Sequence, residues 1–242
     1  MVPDKSSFNR IMLKLSGEAI GGSDGRGIDP DTLRYVCEEI ASVVSSGRQI
    51  AIVMGAGNFF RGITGVAEGM DQVVADQMGM VATVLNAMAL KEGLGSLGVN
   101  SMVVSAIEVG MVARQYSPME ARWIVEKGQV ALCAGGTGNP FFTTDTAAVL
   151  RALEIGCDVV LKSTKVDGIY DKDPVEHRDA TRFERITYDE YLQKKLGVMD
   201  LTAITLARDN GLPVIVFDLK QKGALGRIAS GEVELGTLMH AG

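Results

Sequence analysis

The 242-residue sequence carries 24 Lys plus Arg against 30 Asp plus Glu, a formal charge of −6, and is 46% apolar, 22% charged and 5% aromatic. That apolar share suits a folded chain of one large or two small domains and excludes a disordered one, while glycine without a repeating period excludes collagen. The acidic balance argues against a general nucleic-acid binder, which needs a basic face, but leaves room for a small anion held by a local cation cluster.

Strands alternate with helices along the chain. Arg10–Leu15 (RIMLKL) reads as a strand bounded by Gly17. Asp29-Pro30 opens a helix, with Asp29 as its cap and Pro30 in its first turn. Leu33, Val36, Cys37, Ile40, Val43 and Val44 form its apolar face, and Gly47 ends it. Gln49–Met54 is the next strand. A long helix is expected from Asp71 to Leu97, with Val74, Met78, Val81, Leu85, Met88 and Ala89 turned inward. Met70, Met78, Met80 and Met88 read as flexible core filling rather than a binding face. Ser101–Ser105 is a strand, and Ser117-Pro118-Met119-Glu120 has the form of a capping box. Gln129–Ala134 is a strand, Asp145–Ile155 a helix and Asp158–Ser163 a strand. The polar stretch Lys165–Arg185 reads as loops with a short hairpin. Thr187–Glu190 is a second capping box, Asp200–Asn210 a helix closed by Gly211, and Val214–Asp218 a late strand.

This alternation predicts an α/β fold, a largely parallel sheet covered on both faces. Ligands in such sheets bind beyond the carboxyl ends of the strands. Three Gly-rich loops fall at that rim: Ser16–Gly27, Gly55–Gly62 and Gly135–Asn139. Such loops let backbone N–H groups approach phosphate oxygens, and a following helix adds its positive end. Lys14, Arg61, Lys162 and Lys165 lie beside them, so a site for several phosphates is expected.

Other chemistries are excluded by counting. Cys37, Cys133 and Cys157 are far apart and without a C-x-x-C, which supports neither a zinc knuckle nor a disulfide framework. Cys133 and Cys157 read as small core residues. The two histidines, His177 and His240, read as solvent-exposed and leave little for a His-based triad. No Walker motif, dinucleotide fingerprint or protein-kinase motif occurs. The polar N-terminus lacks a signal core, and no run approaches 18 uninterrupted apolar residues, so a cytoplasmic protein without a membrane span is expected.

Lys14-Leu15-Ser16-Gly17-Glu18 resembles the opening of the amino-acid-kinase superfamily. Gly57-Asn58-x-x-Arg61-Gly62, the block Gly136–Asp145, Lys165–Tyr170 and Val198-Met199-Asp200 resemble the bacterial uridylate kinases within it. The blocks occur in family order and cover nearly the whole chain. One departure is Ala56, where the family commonly has glycine; its methyl group narrows the backbone approach to a phosphate.

The resemblance implies a three-layer αβα sandwich in a single domain, with an acceptor-binding part over roughly 1–157 and an ATP-binding part over roughly 158–242. It implies transfer of a phosphoryl group from ATP, with Mg²⁺, to UMP. Lys14, Arg61, Asp145 and Asp200 are the implied catalytic residues, with Asp200 orienting Lys14 and Asp145 organising the centre. For both acids a helix N-cap is the plainer alternative. ATP is implied at Lys14, Leu15, Ser16, Gly17, Gly57, Arg61, Thr164, Tyr170 and Asp173. UMP is implied at Ala56, Asp76, Thr137, Gly138, Asn139, Pro140, Phe141, Phe142, Thr143 and Thr144. Gly22, Ser23, Asp24, Gly25, Arg26 and Gly27 match the family's GTP effector loop, away from Lys14 and Arg61. GTP activation, UTP inhibition and a homohexamer are implied as well. No dedicated metal cage is expected, because Mg²⁺ bridging phosphates keeps most of its waters. A superfamily relative that phosphorylates a carboxylate or carbamate, and a nucleotide-binding regulator without catalysis, are the alternatives.

Overall fold

The computed structural model describes residues 8–60, 65–66 and 69–242. Its strands are β1 (Arg10–Leu15), β2 (Gln49–Met54), β3 (Ser101–Ser105), β4 (Arg114–Gln115), β5 (Val130–Ala134), β6 (Val159–Thr164), β7 (Ile169–Tyr170), β8 (Arg182–Phe183), β9 (Arg185–Thr187), β10 (Val214–Asp218) and β11 (Gly236–His240). Its helices are α1 (Pro30–Ser45), α2 (Gln72–Ser96), α3 (Pro118–Glu126), α4 (Thr144–Ile155), α5 (Tyr188–Gln193), α6 (Leu201–Asp209) and α7 (Ala224–Ala229). Nine strands form one sheet in the order β4-β3-β5-β2-β1-β6-β10-β11-β9. Neighbours run parallel except β10 and β11, and β7 with β8 makes the expected hairpin.

Two cores make the layers. On one face Ile11, Leu13 and Leu15 pack with Ile40, Leu90 and Leu225 from α1, α2 and α7. On the other, Met12 and Val160 pack with Ala121, Ala148 and Ile204 from α3, α4 and α6. Side chains in a strand alternate between faces, so Lys14 and Lys162, two residues beyond Met12 and Val160, point to the α4 face. Asp29 accepts the Thr32 amide at 2.8 Å and Thr187 with Glu190 forms a reciprocal capping box, as expected, whereas Ser117 accepts the Glu120 amide at 3.1 Å while the Glu120 carboxylate pairs with Arg114, so that box is only half made.

Several expectations are corrected. On α2 the inward face is reversed. Val74, Met78, Val81, Leu85 and Met88 are exposed, Val81 at 52%, whereas Ala75, Met80, Ala82, Thr83, Asn86 and Ala87 are buried. The buried stripe, which faces β3, β5 and α1, also takes in Val84, Leu90 and Leu94, but its small and polar members Ala75, Ala82, Thr83, Asn86 and Ala87 carry little weight in an apolar periodicity. The methionines therefore divide, with Met80 buried and Met78 and Met88 exposed. By length and hydropathy α2 is apolar enough to cross a membrane, yet it packs on the sheet and carries buried Asn86. His240 is half-buried on β11 rather than exposed. The strands β9 and β11 and helix α7 complete the far edge of the sheet, beyond the elements read from the sequence.

Candidate active site

The parallel register of β1 and β6 sets Lys14 directly beside Lys162. Both are buried because their strands are central, and an unpaired buried ammonium is costly. Asp145, in the first turn of α4, lies between them. Its Oδ1 is 2.6 Å from Lys14 Nζ, an ionic contact that is off the axis of a directed hydrogen bond. Its Oδ2 accepts a hydrogen bond from Lys162 Nζ. Burial pushes the Asp145 carboxyl up, but the two ammonium groups outweigh it and hold it below the usual carboxylate range. Burial, and then the charge of Lys14, lower Lys162 to about 8, against the upward pull of Asp145 and Asp200. Two ammonium groups thus meet at the strand ends with Asp145 between them and Asp200 near Lys162.

Asp145 is not the α4 cap. Thr143 holds that position, its hydroxyl accepting the Asp145 and Thr146 amides at 3.0 and 3.4 Å. Asp200 does cap α6, accepting the Ala203 amide at 3.0 Å. It also accepts from the Thr146 hydroxyl at 2.8 Å and from the Thr143 hydroxyl. The orientation of Lys14 expected from Asp200 is therefore supplied by Asp145, while Asp200 fastens the first turn of α4 to α6.

The first and second Gly-rich loops pack against each other. A Cβ on Gly17 would lie 2.2 Å from Asn58 Oδ1 and 2.8 Å from the Gly57 nitrogen, so only glycine permits this approach. Leu15 is buried in the core, leaving its backbone at the rim. Arg61 lies outside the described residues.

Two cavities open beside the lysine pair. One of about 160 Å³ is lined by Ala56, Asp76, Thr137, Asn139, Phe142, Thr143 and Thr144, together with Met80 and Thr83. Asp76 accepts the Phe141 amide at 2.7 Å, and Phe141 sits at φ 70°, a conformation costly for a non-glycine residue. Gly138, at φ 84°, turns the same loop, and Pro140 follows it. Arg151 grips this loop from behind, its Nη2 donating to the Gly136 and Thr137 carbonyls at 3.2 Å each. The Arg151 guanidinium stacks 3.9 Å over Tyr116 and pairs with Glu154.

The second cavity, about 620 Å³, runs from Ser16 and the 21–25 turn to Thr164, Lys165 and the end of β10. Lys165 bridges to Glu18 at 2.6 Å across its mouth. The Gly22–Gly27 loop is thus not remote: Gly22, Ser23, Asp24 and Gly25 line the same cavity as Ser16 and Thr164. Arg26 is exposed and Gly27 exchanges two hydrogen bonds with Asn58. Tyr170 donates to Asp167 at 2.6 Å, and Asp173 accepts the Val175 amide at 2.8 Å; both belong to the 165–185 excursion rather than to this cavity wall.

Among the described residues no cluster of three or more His, Cys, Asp or Glu could hold a metal. Asp145 is engaged by two lysines and Asp200 by two hydroxyls and an amide, so these acids make no cage. The three cysteines are buried thiols, and burial pushes Cys37 to about 11 and Cys133 to about 12.

The sequence places Lys162 among the rim cations without giving it a catalytic role, and it carries no signal that sets Thr83, Asn86 or Arg151 at the site.

The sequence matches the Amino acid kinase family over residues 9–218. It is 50% identical to a curated uridylate kinase of Roseobacter denitrificans over 228 residues, 94% of each chain. Its structure resembles the crystal structure of UMP kinase from Bacillus anthracis with a TM-score of 0.93 and 34% identity, covering 97% of each chain. It resembles the UMP kinase of Ureaplasma parvum with a TM-score of 0.89 and 34% identity, covering 96% of this chain and 98% of the other. With this fold, and with a cation pair at the strand ends beside two cavities, the chain belongs to the amino acid kinase family and, within it, groups with the uridylate kinases.

Proposed function

We propose that this chain transfers the γ-phosphoryl group of MgATP to UMP, giving ADP and UDP. The observation that carries the reading is the Lys14–Asp145–Lys162 cluster, whose carboxylate sits in the same helical turn as Thr143 and Thr144 of the smaller cavity. Cation pair and acceptor cavity are thereby held by one element. The acceptor is a phosphate, mostly dianionic at pH 7 because its second pKa is about 6. Its oxygen attacks the γ-phosphorus without surrendering a proton, so no general base is required. The bond to the β–γ bridging oxygen breaks and ADP leaves. What remains for the protein is alignment and neutralisation of charge.

In this reading Lys14 and Lys162 face the transferred group, and amides of Ser16, Gly17 and Gly57 receive donor oxygens. Leu15 contributes backbone only, and Arg61 clamps a phosphate bidentately. Mg²⁺ would come with ATP rather than be held in a cage of this chain's carboxylates, and would supply neutralisation of charge on the donor phosphates. The larger cavity takes the donor, with Thr164 in its wall on the adenosine side and Tyr170 and Asp173 reaching the nucleoside from the 165–185 excursion beyond that wall. Asp76 accepts from the ribose hydroxyls, and Ala56 and residues 137–144 enclose the phosphate and uracil. Residues of roughly 1–157 thus hold the acceptor and 158–242 the nucleoside of the donor. The 22–27 loop carries the GTP response, and UTP inhibits as a product-like pyrimidine nucleotide.

The exposed α2 stripe supports a homo-oligomer, a hexamer in the fullest form. Val74, Met78, Val81, Leu85 and Met88 alternate by four and three, the seam spacing of paired helices. Each of these side chains is already about half covered, so burying the rest contributes about 1 kcal/mol apiece. In this reading the enzyme acts in the cytoplasm, on nucleotides held there. The deciding measurement is ADP formation with UMP, CMP, carbamate and acetylglutamate as acceptors. UMP should be strongly preferred, since a site that hydrogen-bonds one pyrimidine edge leaves groups unpaired against the other. Equal kcat/KM for UMP and CMP would sink the uridylate assignment.

A further inference from the structure

The inward face of α2 carries two buried polar side chains where an apolar residue would pack without desolvation cost. Thr83 is 3% exposed. Its hydroxyl donates to the Met80 carbonyl at 2.6 Å and accepts the Gly135 amide at 2.8 Å. Asn86 is fully buried. Its Nδ2 donates to the Gly55 carbonyl and to Asn58 Oδ1, both at 2.8 Å, and its Oδ1 accepts from Asn58 Nδ2 at 2.9 Å. Asn58 Nδ2 also reaches the Gly27 carbonyl at 2.7 Å.

These contacts join separate parts of the site. Gly135 begins the loop that encloses the smaller cavity. Gly55–Asn58 is the loop packed against Gly17 at the donor side, and its Ala56 also lines the smaller cavity. Three residues of one helix, about 4.5 Å of rise, separate the two attachment points. A helix is stiff on that scale, whereas Gly-rich loops are not. In-line transfer depends on the reacting atoms being held within a narrow distance, and a displacement of about 1 Å can cost about 10²-fold.

We propose that Thr83 and Asn86 are positioning residues that make α2 the common support of the acceptor loop and the phosphate loop, fixing the separation of the two substrates. The proposal rests on the assignment of those loops under Proposed function. Neither residue needs to touch the reacting atoms; each acts through the backbone it holds.

The test uses the full chain with Thr83→Val, which keeps the shape and removes the hydroxyl, Thr83→Ser, which restores it, and Asn86→Leu. Amide hydrogen exchange in the ligand-free protein reads the tethers directly. Thr83→Val should speed exchange over residues 135–142, and Asn86→Leu over residues 55–58, each leaving the other loop unchanged. Kinetically, Thr83→Val should raise the KM for UMP about tenfold, the scale of one lost buried hydrogen bond, with the KM for ATP within about twofold. Thr83→Ser should return most of that loss. Asn86→Leu should lower kcat by about tenfold or more while the protein remains folded at the assay temperature. Wild-type exchange in both loops overturns the tethers. Faster exchange with unchanged kinetics overturns the proposal through the loop assignment beneath it. Losses that fall equally on both substrates and track Tm alone reduce the two residues to structural ones, and also overturn it.

Discussion

Removing the charge of Lys162 tests the cation pair most directly. Lys162 is buried beside Lys14, and Asp145 cannot neutralise both. Lys162→Met should therefore lower kcat about 10²–10³-fold, the usual loss for one electrostatic group aimed at a developing charge. The pH profile gives a second reading. With its pKa lowered to about 8, Lys162 in the free protein loses its proton as pH rises through that value. By about pH 9 only about a tenth of the molecules keep the charge, so kcat/KM should fall about tenfold from its plateau. Bound phosphates favour the ammonium, so the corresponding limb of kcat should lie at higher pH. Lys162→Arg, charged across the range, should lose the limb even if its plateau is lower. Stability follows with defined sign. The folded value of about 8 lies below the ordinary 10.5, so between them the unfolded chain holds a proton the folded chain lacks. This group's contribution therefore raises stability as pH climbs through that window. Steady-state rates against pH, with thermal melts of the same samples, provide the assay. A wild-type kcat/KM that stays flat between about pH 7 and about pH 9.5, with Lys162→Met within about twofold of wild type, would refute the reasoning.

Asp145 has the opposite sign: its folded pKa is depressed, so its stabilisation is present above the ordinary carboxylate value and lost as pH falls through the folded one. Urea midpoints below about pH 4 should drop more steeply in wild type than in Asp145→Asn, and parallel curves would contradict the pairing. Arg26→Ala should weaken the GTP response of the UMP-dependent rate, with about a 5–150-fold change in coupled affinity. Because its loop borders the donor cavity, a shift in the KM for ATP without GTP is the readout that would instead place Arg26 in substrate binding. Val81→Asp puts a charge in the α2 stripe and should reduce the assembly measured by light scattering. An unchanged mass would remove this face from the interface.

The sequence by itself determined the six central strands β3, β5, β2, β1, β6 and β10, but not β4, β11 and β9 at the edges, and much of the rim chemistry. Apolar runs bounded by glycine, as at Arg10–Leu15 and Gln49–Met54, leave the chain few alternatives, and both strands have the expected limits. The caps at Asp29, Ser117, Thr187 and Asp200 are local, because a side chain two or three residues from an amide needs no tertiary partner to find it. Tertiary structure decided what depends on register and on choosing between faces. Lys14 and Lys162 are 148 positions apart, and only parallel pairing of β1 with β6 sets them side by side with Asp145 between. That Asp145 rather than Asp200 contacts Lys14 has the same origin, since it depends on how α4 packs against β1 and β6. On α2, both helical stripes are apolar enough to serve as core. The face turned to the sheet is mixed, with Ala75, Ala82, Ala87, Thr83 and Asn86 beside Met80, Val84, Leu90 and Leu94, while Val81 and Leu85 are left outside. A one-dimensional apolar pattern cannot choose between the stripes, because Thr83 and Asn86 are satisfied only by the Gly135 amide and the Gly55 carbonyl, which other elements bring to them.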